Sequence, residues 1–326
     1  MGLPELKIGN LTAKLPIVQG GMAVRISTAP LAAAVANEGG IGVIAATGMG
    51  IMELRKEIRK ARDLSKGIIG VNVLFAVKNF SDLVKTAMDE GIDLVISGAG
   101  FSRDIFGWGK NFGIPIVPIV SSAKLAILAE KMGAAAIVVE GTEAGGHLGT
   151  DRPMKDILPE VRQVVKLPVI GAGGVLTGQD IIDVLAMGAN GVQMGTCFAA
   201  SEESNASFAF KNLYINANDE DVVIIKSPVG LPGRAIRNSY VKKIITSGDR
   251  PTTCAQCLKH CSHSFCLLTA LNNAQKGILD EGLVFAGNCV SKINKIKSVK
   301  MIFRDILEEI ENILSKEVRW DWGKKF

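Results

Sequence analysis

The sequence predicts a (β/α)8 barrel of TIM type, with a smaller cap segment near its C-terminal end. Three observations carry this expectation. Short apolar runs alternate with amphipathic stretches, the pattern of strand, crossover helix and parallel strand. The alternation repeats eight times within about 200 residues, the size of one such barrel. The chain also holds 36 glycines and only 5% aromatic residues, which suits many tight turns over an aliphatic core. The expected strands cover 17–21, 42–47, 69–75, 94–99, 116–120, 136–140, 169–173 and 191–196. They are apolar on both faces, as in a parallel sheet covered on both sides. Helical spacing of apolar residues predicts helices over 29–38, 81–90, 123–132 and 178–187 between them. A doubly wound open sheet would carry a dinucleotide fingerprint after an early strand. Neither Gly98-Ala99-Gly100 nor Gly171-Ala172-Gly173 continues with that spacing.

Past residue 205 the rhythm breaks. Val222-Val223-Ile224-Ile225 predicts a strand, and 227–233, with two prolines and two glycines, a rigid loop. A cysteine-rich segment follows, then a helix near 270–276. A last helix over 299–314 is apolar on one face and is expected to return to the barrel. The expected division is a barrel at 1–204, a cap at 205–290, and a C-terminal helix segment at 291–326.

Composition narrows the partners. The chain is 48% hydrophobic and 21% charged, ordinary for a water-soluble globular protein. A net charge of +5, with no basic run interleaved with aromatics, argues against nucleic acid. The Lys-rich stretch 292–300 reads as a solvated helix face. No apolar stretch is long and charge-free enough to span a bilayer, and residues 1–7 resemble no signal or transit peptide. A cytoplasmic location and no membrane partner are expected, with a homodimer left open. Six cysteines in 326 residues do not suggest a disulfide framework.

In such barrels the chemistry sits at the carboxyl ends of the strands. His147, the only histidine in the first 259 residues, follows the sixth strand behind Gly145-Gly146. Glycines let a flat ligand approach closely, and imidazole exchanges protons near neutral pH. His147 is therefore the candidate catalytic base; a packed core histidine is the alternative. The seventh and eighth strands end in Gly171-Ala172-Gly173-Gly174 and Gln193-Met194-Gly195-Thr196. Glycine loops expose backbone N–H groups to an anion, so a phosphate is expected there, tight turns alone being the alternative. Gly20, Gly21, Met22, Asn72 and Ser97 are small, apolar or polar-neutral strand-end residues that suit a broad ring. No strand end supplies a Schiff-base lysine, and no carboxylate pair suits glycoside hydrolysis.

Cys254, Cys257, Cys261 and Cys266 place four thiols in 13 positions. The first three, at i, i+3 and i+7, would share one face of a helix. Four thiolates could hold an iron–sulfur cluster or a tetrahedral zinc, with His260 and His263 as substitute ligands. A buried set of small side chains and a redox-active thiol group are the alternatives. Cys197 and Cys289 stand apart and are expected in the core.

Four segments resemble one family: 16–22 (Pro-Ile-Val-Gln-Gly-Gly-Met), 143–149 (Glu-Ala-Gly-Gly-His-Leu-Gly), 168–174 (Pro-Val-Ile-Gly-Ala-Gly-Gly) and 191–196 (Gly-Val-Gln-Met-Gly-Thr). Together they are similar to the nitronate monooxygenases, formerly 2-nitropropane dioxygenases, relatives of the flavin-dependent enoyl-acyl-carrier-protein reductase II. The resemblance covers about residues 14–240 and implies FMN in the barrel. It implies that Gly173, Gly174, Gly195 and Thr196 hold the phosphate. Gly21, Met22, Asn72 and Gly146 would line the flavin, with Gly20, Ser97, Gly145 and Gln193 completing the cofactor set. His147 would face flavin and substrate. The implied activity is oxidation of alkyl nitronates with O2. The alternative is reduction of an enoyl thioester by NAD(P)H. Phe101-Ser102 replaces the Asn-Pro that those reductases usually carry after Gly98-Ala99-Gly100, and the cysteine cluster is foreign to them; both favour the monooxygenase branch. A non-catalytic flavin- or metal-binding sensor is a further alternative.

Overall fold

The computed structural model describes residues 2–246, 251 and 253–316. The chain opens with a short antiparallel hairpin, β1 (Leu6–Ile8) and β2 (Leu11–Ala13). Three residues per strand are too few for apolar periodicity to announce it. The repeating units then begin: β3 (Ile17–Gln19), α1 (Ala29–Asn37), β4 (Gly42–Ala45), α2 (Ile51–Leu64), β5 (Ile69–Leu74), α3 (Phe80–Asp89), β6 (Leu94–Gly98) and α4 (Asp104–Phe112). They continue with β7 (Ile116–Val120), α5 (Ala123–Lys131), β8 (Ile137–Glu140), a two-residue strand β9 (Gly146–His147), α6 (Met154–Val164), β10 (Val169–Ala172), α7 (Gly178–Ala186), β11 (Gly191–Met194) and the short α8 (Thr196–Ala199). Each expected strand is present: β7 has its expected bounds, β8 starts one residue late, and the others end one or two residues early.

Eight strands form one parallel sheet in the order β3-β11-β10-β8-β7-β6-β5-β4. The two end strands meet through a Val18–Ile41 bridge and the 2.9 Å bonds Gln19 N–H to Ile41 O and Ile41 N–H to Ile17 O. The sheet is thereby rolled into a (β/α)8 barrel.

Strand periodicity sorts the side chains. Ile69, Val71, Val73, Val95, Ile137, Val139 and Val169 point outward into the layer shared with the helices. Ile96, Val117, Val138 and Ile170 point inward, where Leu6, Ile8 and Ala13 of the first hairpin plug the amino-terminal end of the barrel. That plug leaves the carboxyl end as the open one.

The C-terminal part builds over that end. α9 (Phe208–Ile215) precedes β12 (Val222–Lys226) and β13 (Pro232–Ile236), which pair antiparallel. The expected rigid loop 227–233 is thus shorter than predicted, because Pro232 already pairs with Lys226. β13 also pairs with β9, setting Gly233 opposite His147 and Arg234 opposite Gly146. α10 (Ser239–Thr246) and α11 (Leu267–Lys276) follow, and α12 (Val299–Lys316) returns to pack on α7 and α1. The expectation for 317–326 lies outside the described residues.

The predicted helix through Cys254, Cys257 and Cys261 is absent. Residues 253–266 form an irregular segment in which Gln256 and His263 have positive φ, 49° and 57°, which no helix accommodates. Cys289 is buried and Cys197 packs partly buried against the core. Among the described residues no helix is long and apolar enough to cross a membrane.

Candidate active site

A cavity of about 510 Å3 opens at the carboxyl ends of the barrel strands, between them and the C-terminal elements. Its floor is glycine-rich for a steric reason. A Cβ on Gly21 would lie 2.3 Å from Asn72 Cβ, one on Gly145 2.6 Å from the Ala286 carbonyl carbon, and one on Gly287 2.8 Å from Thr196 Oγ1. Loops from distant parts of the chain can meet here only because those side chains are missing.

His147 sits in the wall, fixed by the β9–β13 pairing. Its Nε2 lies 2.7 Å from Ser227 Oγ, and its ring meets Phe285 edge-on at 5.2 Å between centroids. Burial pushes the imidazole pKa down to about 4, so the ring is neutral at pH 7. Arg234 donates from Nε and Nη2 to Thr142 O, at 3.1 and 2.7 Å, tying the hairpin to the loop that carries the histidine.

Glu140, at the end of β8, lines the same cavity. Burial raises its carboxyl to about 8, so at neutral pH it is an O–H donor rather than an anion. Asn72 donates from Nδ2 to Gly21 O at 3.2 Å, while its Oδ1 is buried without a partner; Gln193 Oε1 is orphaned likewise. Unpaired buried acceptors are costly, and a bound molecule with N–H or O–H groups would satisfy them. Gly287 N–H donates to Thr196 Oγ1 at 3.2 Å, which leaves the Thr196 hydroxyl proton free to donate elsewhere.

Of the predicted cofactor residues, Gly21, Met22, Asn72, Gly145, Gly146, Gly195 and Thr196 line the cavity together with His147. Gly20, Ser97, Gly173, Gly174 and Gln193 stand behind the wall. Ser97 shares its strand face with Val95, which points outward, and its hydroxyl donates to Gly100 O at 2.8 Å. Gly20 is drawn against β11 by its N–H bond to Met194 O. Gln193 points down into the barrel. Gly173 and Gly174 are screened by Glu143, whose Cβ would stand 3.5 and 3.4 Å from a Cβ at either position. Sequence reasoning missed Glu140, Ser227, Phe285 and Gly287. Glu140 alone carried a signal, as an acidic residue ending an otherwise apolar strand.

The four thiols of 254–266 are not a ready-made single-ion site. Among the described residues no three His, Cys, Asp or Glu side chains are placed to share one metal ion. The tetrahedral zinc expectation is corrected accordingly, because four-coordinate zinc needs its donors converged at about 2.3 Å from one centre. His260 and His263 supply no substitute arrangement.

A strand-end cavity with a neutral imidazole, a protonated carboxylic acid and an orphaned amide acceptor defines a barrel enzyme rather than a structural module. Residues 5–309 match the sequence pattern of nitronate monooxygenases, and the chain belongs to that family, making it an FMN-dependent oxidoreductase. A probable nitronate monooxygenase of Staphylococcus aureus (strain Newman) is 33% identical, covering 74% of this chain and 81% of that protein. FabK from Thermotoga maritima is 32% identical with a TM-score of 0.83, covering 93% of this chain and 95% of that one. A nitroalkane oxidase from Streptomyces ansochromogenes shares the fold at 23% identity and a TM-score of 0.80, covering 93% and 98%.

Proposed function

We propose that this chain oxidises alkyl nitronates with O2, using FMN held in the cavity at the carboxyl end of the barrel. The observation that carries the reading is the single neutral imidazole, His147, beside a pocket with an unpaired acceptor at Asn72 Oδ1. That acceptor fits FMN, whose ring N–H and ribityl hydroxyls are donors. FMN bound there would supply the two-electron chemistry between substrate and oxygen.

The chain's own residues supply the rest. Thr196 and the backbone at Gly195 would hold the phosphate, with the Gly173–Gly174 turn behind them. Gly21, Met22 and Gly146 would bound the ring, and Asn72 Oδ1 and the Glu140 O–H would bond to it. His147 takes the substrate-derived proton, Ser227 orients the imidazole, and Phe285 keeps water from its edge. Neutrality matters, because an imidazolium could not accept a proton.

A second reading has its own support. The outer wall is lined by Leu267, Leu268, Leu271 and Leu283, an apolar surface suited to an acyl chain, and the likeness to FabK is high. On that reading the chain reduces an enoyl thioester with NAD(P)H. One anaerobic experiment separates them. Under the first reading ethylnitronate or propionate 3-nitronate bleaches the flavin absorbance and NADH and NADPH do not. Bleaching by a nicotinamide, with nitronates inert, would overturn it in favour of the second.

A further inference from the structure

We propose that Cys254, Cys257, Cys261 and Cys266 bind a [4Fe–4S] cluster on the rim of the redox cavity, whichever substrate that cavity serves. All four line one secondary cavity of about 380 Å3. Gln256, Cys257, Leu258 and Leu267 border both this space and the main cavity, so one thin wall separates them. The segment is anchored to the barrel by a Val77–Leu258 bridge, by Lys78 N–H to Cys257 O and by Lys259 N–H to Ala76 O, both 2.9 Å.

Three of the four sulfurs accept hydrogen bonds. Gln256 N–H donates to Cys254 Sγ at 3.3 Å, and His263 N–H to Cys261 Sγ at 3.4 Å. The two turns are alike: each amide lies two residues past its cysteine, and each donor residue has the positive φ already noted. The Thr269 hydroxyl donates to Cys266 Sγ at 3.1 Å, at the amino end of α11. A merely packed set of thiols would need no such donors, whereas hydrogen bonds to sulfur are a usual accompaniment of iron–sulfur ligation.

Charge points the same way. Among the described residues no carboxylate lines this cavity, while Lys78 and Lys259 do. Binding exchanges four S–H bonds for four S–Fe bonds on a [4Fe–4S]2+ core, the four protons passing to water, with no net redox change.

The test uses the full chain, purified anaerobically and reconstituted with equal amounts of ferrous and ferric iron and with sulfide, then desalted. About four iron and four acid-labile sulfide per chain, with a broad absorbance near ~400 nm that dithionite bleaches, are expected. The double variant Cys254→Ser/Cys261→Ser should lose at least three-quarters of the iron while keeping its far-ultraviolet circular dichroism. Stoichiometric zinc without sulfide, a metal-free chain whose four thiols all react with a thiol reagent, or a double variant with undiminished iron would each overturn the proposal. If the variant does not fold, the iron and sulfide content of the unsubstituted chain decides alone.

Discussion

His147 and Glu140 line one cavity, and burial moves their pKa values in opposite directions, to about 4 and about 8. Both are therefore uncharged across the neutral range, which suits the anionic substrate proposed above. His147→Asn should lower turnover by about 10^2- to 10^4-fold, the usual worth of a positioned base. Its flavin content should not change, since the phosphate grip is elsewhere. The acid limb of kcat/KM, set near pH 4 by the imidazole in the free enzyme, should vanish with it; a variant that turns over normally would remove His147 from the mechanism. The linkage signs are opposite too. The unfolded imidazole takes its proton near 6.5 and the folded one only near 4, so this group lowers stability as pH falls through that window. Unfolded Glu140 ionises near 4.5 and the folded carboxyl near 8, so this group lowers stability as pH rises from 4.5 to 8. Glu140→Gln should remove that second slope in urea denaturation midpoints measured from pH 5 to 9. An unchanged slope would mean the carboxyl is not protonated in the fold.

Elements far apart in sequence hold the site. β13 pairs with β9, and Asn288 N–H donates to Glu143 O at 3.1 Å, so the C-terminal part clamps the histidine loop at two points. α12 is fastened by the same kind of device. Its Glu309 Oε2 accepts from Gly178 N–H at 2.8 Å, capping the first turn of α7 with a side chain 131 residues away. An acidic group there satisfies an orphan amide and complements the helix dipole. Glu309→Ala should cost about 0.5–2 kcal/mol of stability, read as a lower denaturation midpoint, with kcat preserved. A large loss of kcat would instead show that α12 shapes the cavity.

At the scale of the whole molecule, Arg25 spans the two parts. It pairs with Glu53 on α2 and donates to Gly48 O at 3.0 Å and to Asn272 Oδ1 on α11 at 2.7 Å. Because the cavity lies between barrel and cap, a molecule bound there stabilises both. FMN added at about 100 times its Kd should raise unfolding free energy by about 2.7 kcal/mol. Thermal melts should therefore shift upward with FMN concentration; a midpoint indifferent to FMN would place the cofactor elsewhere.

The barrel was legible in the chain because each of its units is local. A strand such as Ile69–Leu74 and the helix after it announce themselves within a few residues, by period two and period 3.6. The same locality made His147 and the glycine-flanked strand ends readable. Pairing between distant segments leaves no such trace. Ser227 reaches His147 across 80 residues, Gly287 reaches Thr196 across 91, and Ser97 was misread because only the strand register shows which way it points. Sequence alone therefore determined the fold class and the family, and it singled out His147 as the candidate base. Tertiary structure decided which strand-end residues form the wall, which groups are uncharged and how four thiols are disposed, because burial and contact depend on what packs opposite each residue.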